Sequence, residues 1–185
     1  MKPSSILAAF AAAIALVASP AFAADKAKEQ AEIQKAAKES LAKFYQKKPA
    51  IEGEVKAAPG IAVFRTYGLS FVIGGSGGGG VAREKGGKDI YMKMGQASAG
   101  LQAGAGEKDL LVIFKSKKAF DDFIAKGWEF GGAGSVAAGA GGHTAGGGSG
   151  QQEINDAMTY TLTRNGLEVG GALQGTKFWK DKELN

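Results

Sequence analysis

The sequence contains no cysteine and a single histidine. Without cysteine the chain can form no disulfide and offers no thiol for lipid attachment, so its stability must come from a packed core. The one histidine, His143, lies in a glycine-rich segment and is a poor basis for a zinc site or for a serine–histidine–aspartate arrangement. We therefore expect a non-catalytic protein with no catalytic residue, no metal site and no cofactor.

Motifs for phosphate and nucleic-acid binding are also missing. The run Gly75–Gly80 formally satisfies the dinucleotide fingerprint, but no helix is predicted after it to receive a pyrophosphate. The segment 86–89 lacks the spacing and the hydroxyl residue of a P-loop. Basic residues are spread along the chain without interleaved aromatic residues, so we expect no nucleic-acid partner.

The N-terminal segment has the layout of a secretory signal peptide. A lysine precedes the apolar run 6–17, and Pro20 then precedes small residues that end at Ala23. The run is shorter than the roughly 20 apolar residues that a membrane-spanning helix needs, and its end fits a signal peptidase site. We predict cleavage after Ala23, a periplasmic or secreted protein, and one domain over residues 24–185.

A basic amphipathic helix is predicted directly after this site, over residues 24–48. The segment has no glycine or proline, its apolar residues recur at spacings of three and four, and Pro49 ends it. Such a helix can lie on a membrane surface. The alternative is that its apolar stripe packs on the rest of the domain. The residues predicted to bind lipid on this helix are Lys35, Lys38, Leu41, Lys43 and Phe44.

Glycine is abundant in the rest of the chain, residues 60–185, with 30 glycines in the whole sequence. Small residues at alternate positions let strands approach closely, which favours a tightly curved sheet. We predict an α+β fold: a mostly antiparallel, strongly curved sheet or partly closed barrel, covered by the N-terminal helix and one short helix. That short helix should begin after Ser116 and stop at Gly127. We expect the glycine run 74–80 to be a flexible loop.

The predicted strands are Ile61–Phe64, Leu69–Gly74, Ile90–Met94, Leu110–Phe114, Met158–Thr163 and Leu167–Leu173. The fourth is apolar throughout and should be central, covered on both faces. The last two flank Asn165-Gly166, a strong hairpin signal. A two-residue turn at this dipeptide would pair Leu162 with Val169 and Tyr160 with Gly171.

Two aromatic residues stand between two lysines near the C-terminal end, in the segment 177–180. This composition suits the boundary between lipid headgroups and acyl chains. The alternative is that Phe178 and Trp179 are core residues of the last strand. We predict Lys177 and Trp179 as further lipid contacts.

Taken together, four segments resemble the SYLF domain in their order and spacing: residues 59–64 with the glycine run, 99–114, 130–139 and 160–175. The resemblance implies phospholipid binding, with phosphoinositides and actin as partners of eukaryotic members and an envelope role for exported bacterial ones. It also implies that the N-terminal amphipathic segment contacts the membrane. We expect an exported protein that binds anionic membrane lipid. The alternative is a periplasmic structural or interaction module that pairs with envelope proteins through a sheet edge.

Overall fold

The computed structural model describes residues 20–71, 75–97, 107–129, 153–154, 156–163, 166–169, 173 and 176–185. The helices are α1 (Pro20–Lys47), α2 (Ala50–Ala57) and α3 (Lys117–Lys126). The strands are β1 (Gly60–Phe71), β2 (Gly75–Glu84), β3 (Asp89–Ala97), β4 (Lys108–Phe114), β5 (Trp128–Glu129), β6 (Glu153–Ile154), β7 (Ala157–Thr163), β8 (Gly166–Val169) and β9 (Thr176–Lys180).

All described strands belong to one sheet, in the order β5-β9-β3-β2-β1-β4-β7-β6, with β8 also paired to β7. Every pairing is antiparallel, as short connections between neighbouring strands favour. The sheet is strongly curled into a half-barrel. The predicted α+β, mostly antiparallel fold is confirmed.

The glycine run predicted to be a flexible loop is a strand. Gly75–Gly80 form the first half of β2 and pair with β1 on one side and with β3 on the other. A Cβ added at Gly78 would collide with the carbonyl of Arg65, and one at Gly80 would collide with the Phe64 ring. The prediction was wrong because a glycine run has no side-chain alternation, and only the neighbouring strands specify its extended backbone.

The segment between Pro49 and Pro59, for which the sequence predicted no helix or strand, contains α2. Pro49 has helical backbone angles at the start of this helix, where a missing N–H costs nothing. Ile51 is fully buried and anchors α2 in the core. Helix α1 is confirmed, although it begins at Pro20 rather than after Ala23.

The β7–β8 hairpin forms, but with a different register from the predicted one. Leu162 pairs with Leu167 and Tyr160 pairs with Val169, so the connection is residues 164–165 and Gly166 closes it. Gly166 has a φ of 129°, which glycine adopts without strain. Because the shift is two residues, each side chain keeps the face that the sequence assigned to it.

The sheet has a hydrophobic cluster on each face, and β4 contributes to both. Its residues Leu110, Val112 and Phe114 face one cluster, while Leu111 and Ile113 face the other. The prediction that this strand is covered on both faces is confirmed.

Helix α3 covers the first cluster. Ser116 caps it by accepting a hydrogen bond from the Ala119 N–H, and it ends at Gly127 with a φ of 68°. Its Phe123 packs among the rings of Phe64, Phe114 and other aromatic residues of the sheet. Both predicted ends of the helix are confirmed.

Helices α1 and α2 cover the second cluster, on the opposite face. Several sequence predictions lie outside the described residues: the apolar run 6–17, the small-residue segments 97–106 (apart from Ala97) and 130–150, and His143. Among the described helices, none combines the length and the apolar character needed to cross a membrane.

Candidate functional site

Helix α1 lies with its apolar stripe on the sheet. Phe44 is completely buried, and Leu41 is partly buried against the same cluster. At its N-terminal half, Ile33 rests above Gly79, where an added Cβ would lie 3.3 Å from the Ile33 Cδ1 atom. The alternative interpretation of the stripe, packing on the domain, therefore describes this structure. Leu41 and Phe44 face the sheet and not the solvent.

An ionic network joins the middle of α1 to β1 and β4, and its centre, Ser40, Arg65 and Asp109, is buried. Together with Glu39 and Lys43 at its edge, we call it the α1 clamp. Arg65 Nε donates to Asp109 Oδ1 at 2.8 Å, and Lys43 Nζ lies 3.2 Å from Asp109 Oδ2. Ser40 Oγ lies 2.7 Å from Asp109 Oδ1 and accepts a hydrogen bond from Arg65 Nη2 at 3.1 Å. Arg65 Nη1 also donates to Glu39 Oε2 at 2.9 Å.

The clamp fixes the charge state of its carboxylates. Burial alone would raise the pKa of Asp109, but hydrogen bonds from Arg65 and Ser40, and the charges of Arg65 and Lys43, outweigh it and lower that pKa. The hydrogen bond from Arg65 likewise lowers the pKa of Glu39. Both groups are therefore ionised at neutral pH, and their negative charges are directed at Arg65.

The sequence analysis did not identify this network. A signal was present, because Arg65 follows four apolar residues in one strand and Asp109 stands directly before the apolar run of another. Charges of opposite sign in adjacent core strands commonly pair, since an unpaired buried charge is costly. Without the strand order, however, nothing in the sequence indicates that β1 and β4 are neighbours.

The predicted lysines differ in their surroundings. Lys35 and Lys38 are exposed on the outward face of α1 and make no ion pair within the described part of the chain. Lys43 is held by Asp109. The outward face of the helix therefore carries two exposed ammonium groups, Lys35 and Lys38, that form no ion pair in the described structure.

The predicted C-terminal contacts lie on β9, whose side chains alternate between the two faces. Phe178 is buried in the α3-side cluster, while Lys177 and Trp179 point to the α1 side. Lys177 Nζ lies 3.0 Å from Glu129 Oε2. Trp179 is 40% exposed, so the core interpretation holds for Phe178 and not for Trp179.

The last residues of the sequence attach β9 to the N-terminal half of α1. The Asn185 side chain accepts from the Tyr91 N–H and donates to the Tyr91 carbonyl. Gln30 donates to the Leu184 carbonyl at 2.7 Å, and Lys26 donates to the Asn185 carbonyl at 3.1 Å. Residues predicted separately from the two ends of the sequence are thus brought to one side of the molecule.

The described residues offer no group of three or more His, Cys, Asp and Glu side chains that could hold a metal ion. The adjacent acids Asp121 and Asp122 lie on the solvent side of α3 and form ion pairs with lysines one turn away.

Comparison with known proteins was made for the whole sequence. Residues 95–185 match the Ysc84 family model, described as "Las17-binding protein actin regulator". The chain is also 33% identical over 151 residues to Beta cell expansion factor A of Aeromonas veronii, an alignment that covers 78% of this chain and 54% of that protein. The chain thus spans about half the length of this curated relative.

The matched segment runs from β3 to Asn185 and contains Asp109, Lys177 and Trp179, whereas α1 precedes it. Ysc84 is the SYLF family, a family of binding domains, and the Aeromonas protein is a bacterial member. The resemblance seen in the sequence is therefore confirmed: this chain belongs to the SYLF family, whose model matches its residues 95–185.

Proposed function

We propose that this protein is exported and binds anionic phospholipid surfaces without catalysis, through the outward face of docked α1. The observation that carries the proposal is the position of Lys35 and Lys38, exposed and without ion pairs in the described structure. The neighbouring acid Glu39 is hydrogen-bonded to Arg65 and offsets only part of the charge of Lys35. Lysines near an anionic membrane each contribute about 1 kcal/mol of attraction.

In this mode α1 stays on the sheet. Undocking would expose Phe44 and would separate Arg65 and Asp109 from their partners on α1. Full exposure of a buried phenylalanine side chain alone costs about 1.5–3 kcal/mol. Binding by the docked helix is accordingly electrostatic, reversible and salt-sensitive, and Leu41 and Phe44 support the helix from below.

Membership of a family of binding domains supports an interaction role over an enzymatic one. The proposal of export rests on the signal-peptide pattern of residues 1–23. Expression of the full sequence in a diderm bacterium, followed by fractionation and mass determination, tests it. A periplasmic or secreted product that begins at Ala24 supports export, and a cytoplasmic full-length product contradicts it.

Lipid binding is tested by co-sedimentation with neutral and anionic vesicles at low and high salt. The test variant is Lys35→Glu/Lys38→Glu. Its matched control is Lys85→Glu/Lys88→Glu, which makes the same change in net charge at two exposed lysines in the β2–β3 turn. We expect anionic vesicles to pellet the wild type and the control, more weakly at high salt, and to pellet the test variant poorly. Equal binding by both variants would refute the role of α1.

A cross-link tests whether α1 remains docked. Because the chain has no cysteine, an Ile33→Cys/Gly79→Cys variant contains one defined thiol pair, placed where α1 touches β2. Oxidation is verified by mass and thiol titration. Our mechanism predicts equal vesicle binding before and after oxidation. Binding that disappears on oxidation and returns on reduction would instead assign the contact to a released helix and its residues Leu41 and Phe44.

A protein-interaction module is the outcome if no vesicle composition pellets the protein. In that case the same two charge-reversal variants should retain partner capture, since a sheet edge and not α1 would form the contact.

A further inference from the structure

Trp179 is the one large apolar side chain that is exposed within the described residues. It projects from β9 on the face of the sheet that α1 covers. Its position is beyond the side of α1 that contacts Leu184 and Asn185. Lys177 and Phe178, its neighbours on the preceding side, are occupied by an ion pair and by the core. Trp179 has neither function.

The ring of Trp179 is supported by a glycine on the adjacent strand. A Cβ added at Gly95 would lie 3.2 Å from the Trp179 Cη2 atom and 3.4 Å from Cζ3, closer than most packed atoms. Glycine at this position therefore lets the indole lie against the backbone of β3. A ring held on a strand backbone loses little further conformational entropy when it is buried by a partner.

The charges around Trp179 are unequal. Lys93, on the same face, lies 3.1 Å from Asp181 and 3.2 Å from Glu183, so its charge is compensated. Lys182, three residues after Trp179, is exposed and makes no ion pair in the described structure, whereas Lys180 projects from the opposite face of β9. An indole beside an ammonium group matches the boundary between anionic headgroups and acyl chains.

We propose that Trp179 is the apolar anchor of the protein on an anionic membrane, with Lys182 as its headgroup contact and Lys177 outside the contact. This inference rests on the proposed lipid-binding function and adds the orientation of the molecule. The side on which the N-terminal half of α1 meets the C-terminal residues faces the bilayer. Docked α1 supplies charge there, and β9 supplies the one group that enters the interface.

Tryptophan fluorescence can test this inference directly. The chain has two tryptophans, and Trp128 is buried in the α3-side cluster, where it serves as an internal reference. The full mature chain is mixed with vesicles of phosphatidylcholine, with and without phosphatidylglycerol, and with lipids brominated on the acyl chain. We expect a blue shift and bromine quenching with anionic vesicles, and neither in a Trp179→Phe variant, which retains an aromatic ring on Gly95.

Co-sedimentation gives the second measurement. Burial of the exposed 40% of an indole, roughly 60–100 Å² at about 25 cal/mol per Å², predicts that Trp179→Ala lowers vesicle affinity about 10- to 70-fold. Lys182→Glu should also weaken binding, whereas Lys88→Glu, at an exposed lysine of the β2–β3 turn, should not. The thermal midpoint of each variant is measured first, because Trp179→Ala also removes the contact of the indole with Gly95, and binding is compared at a temperature at which every variant is folded.

The outcomes separate the two proposals. If the protein pellets with anionic vesicles while Trp179 is neither shifted nor quenched, this inference is wrong and the proposed function stands. If no vesicle composition pellets the protein, the proposed function fails and the anchor fails with it. Quenching that persists in Trp179→Phe would report Trp128, and it would also overturn the assignment.

Discussion

The α1 clamp should be sensitive to the loss of a single charge. In Asp109→Asn the side chain keeps its shape and loses its charge, so buried Arg65 loses its carboxylate partner on β4. Breaking a buried ion pair in this way costs roughly 3–5 kcal/mol. For a domain of this size about 1 kcal/mol corresponds to about 2–4 °C, so the thermal midpoint should fall by roughly 6–20 °C.

Removal of both buried charges should be milder than removal of one. In Arg65→Met/Asp109→Leu no buried ion remains in the clamp, and Glu39 and Lys43 return to water. Ser40 keeps its contact with the Ala36 carbonyl at 2.9 Å. Replacement of a buried pair by apolar residues of similar size is often nearly neutral. We therefore expect the double variant to be more stable than Asp109→Asn in urea and thermal unfolding followed by circular dichroism.

The pH dependence gives an independent check. Because the folded-state pKa of Asp109 is lowered, its stabilising contribution is present above its unfolded pKa of about 3.9 and is lost as the pH falls through the folded value. The difference between wild type and Asp109→Asn should therefore shrink in acid. Asp121→Asn, at an exposed position of α3, is the control and should change little. If Asp109→Asn is as stable as Arg65→Met/Asp109→Leu, this account of the clamp is wrong.

Three further outcomes follow from the fold. Gly80→Ala should cost about 1–3 kcal/mol in urea unfolding, because its Cβ meets the Phe64 ring, whereas Gly77→Ala, with 3.7 Å to its nearest neighbour, should be tolerated. Ser116→Ala should cost about 1 kcal/mol through loss of the α3 cap. Burial raises the pKa of Tyr160, and so do the hydrogen bond to the Glu54 carboxylate and the negative charge of that carboxylate. Ultraviolet titration should therefore show this phenol still protonated above pH 10. Its stabilising contribution should be complete below about pH 10 and fall as the pH rises further. Equal effects of the two glycine substitutions, an unchanged Ser116→Ala, or ordinary ionisation of Tyr160 would contradict these expectations.

Periodicity predicted the elements that carry their own pattern. The stripe of α1, the apolar run of β4 and the cap of α3 each specify a structure within a few residues, and all three form as expected. The sequence signals failed where pairing between strands determines the local structure. The segment Gly75–Gly80 has only one side chain, that of Ser76, and so shows no alternation, and the register of the β7–β8 hairpin depends on the closing Gly166.

The candidate site was predictable only in part. Sequence reasoning selected α1 and β9, and the structure brings both to one side through contacts of the last two residues. It predicted the same role, lipid contact, for Lys35 and Phe44. The structure exposes Lys35 and buries Phe44. Burial of an amphipathic stripe depends on whether a partner surface exists, and that surface is assembled from β1, β2 and β4, far from α1 in sequence.

The glycines of β2 connect the fold to the proposed mode of binding. Gly79 has no side chain, so Ile33 of α1 can approach the sheet, while Gly78 and Gly80 leave room for β1 on the opposite face. The glycine content of this strand is thus explained by close packing and requires no flexible ligand loop. Because this packing and the clamp hold α1 along its length, the helix can offer a membrane only its polar face. Apolar contact must then come from elsewhere, and within the described residues Trp179 is the side chain placed to supply it.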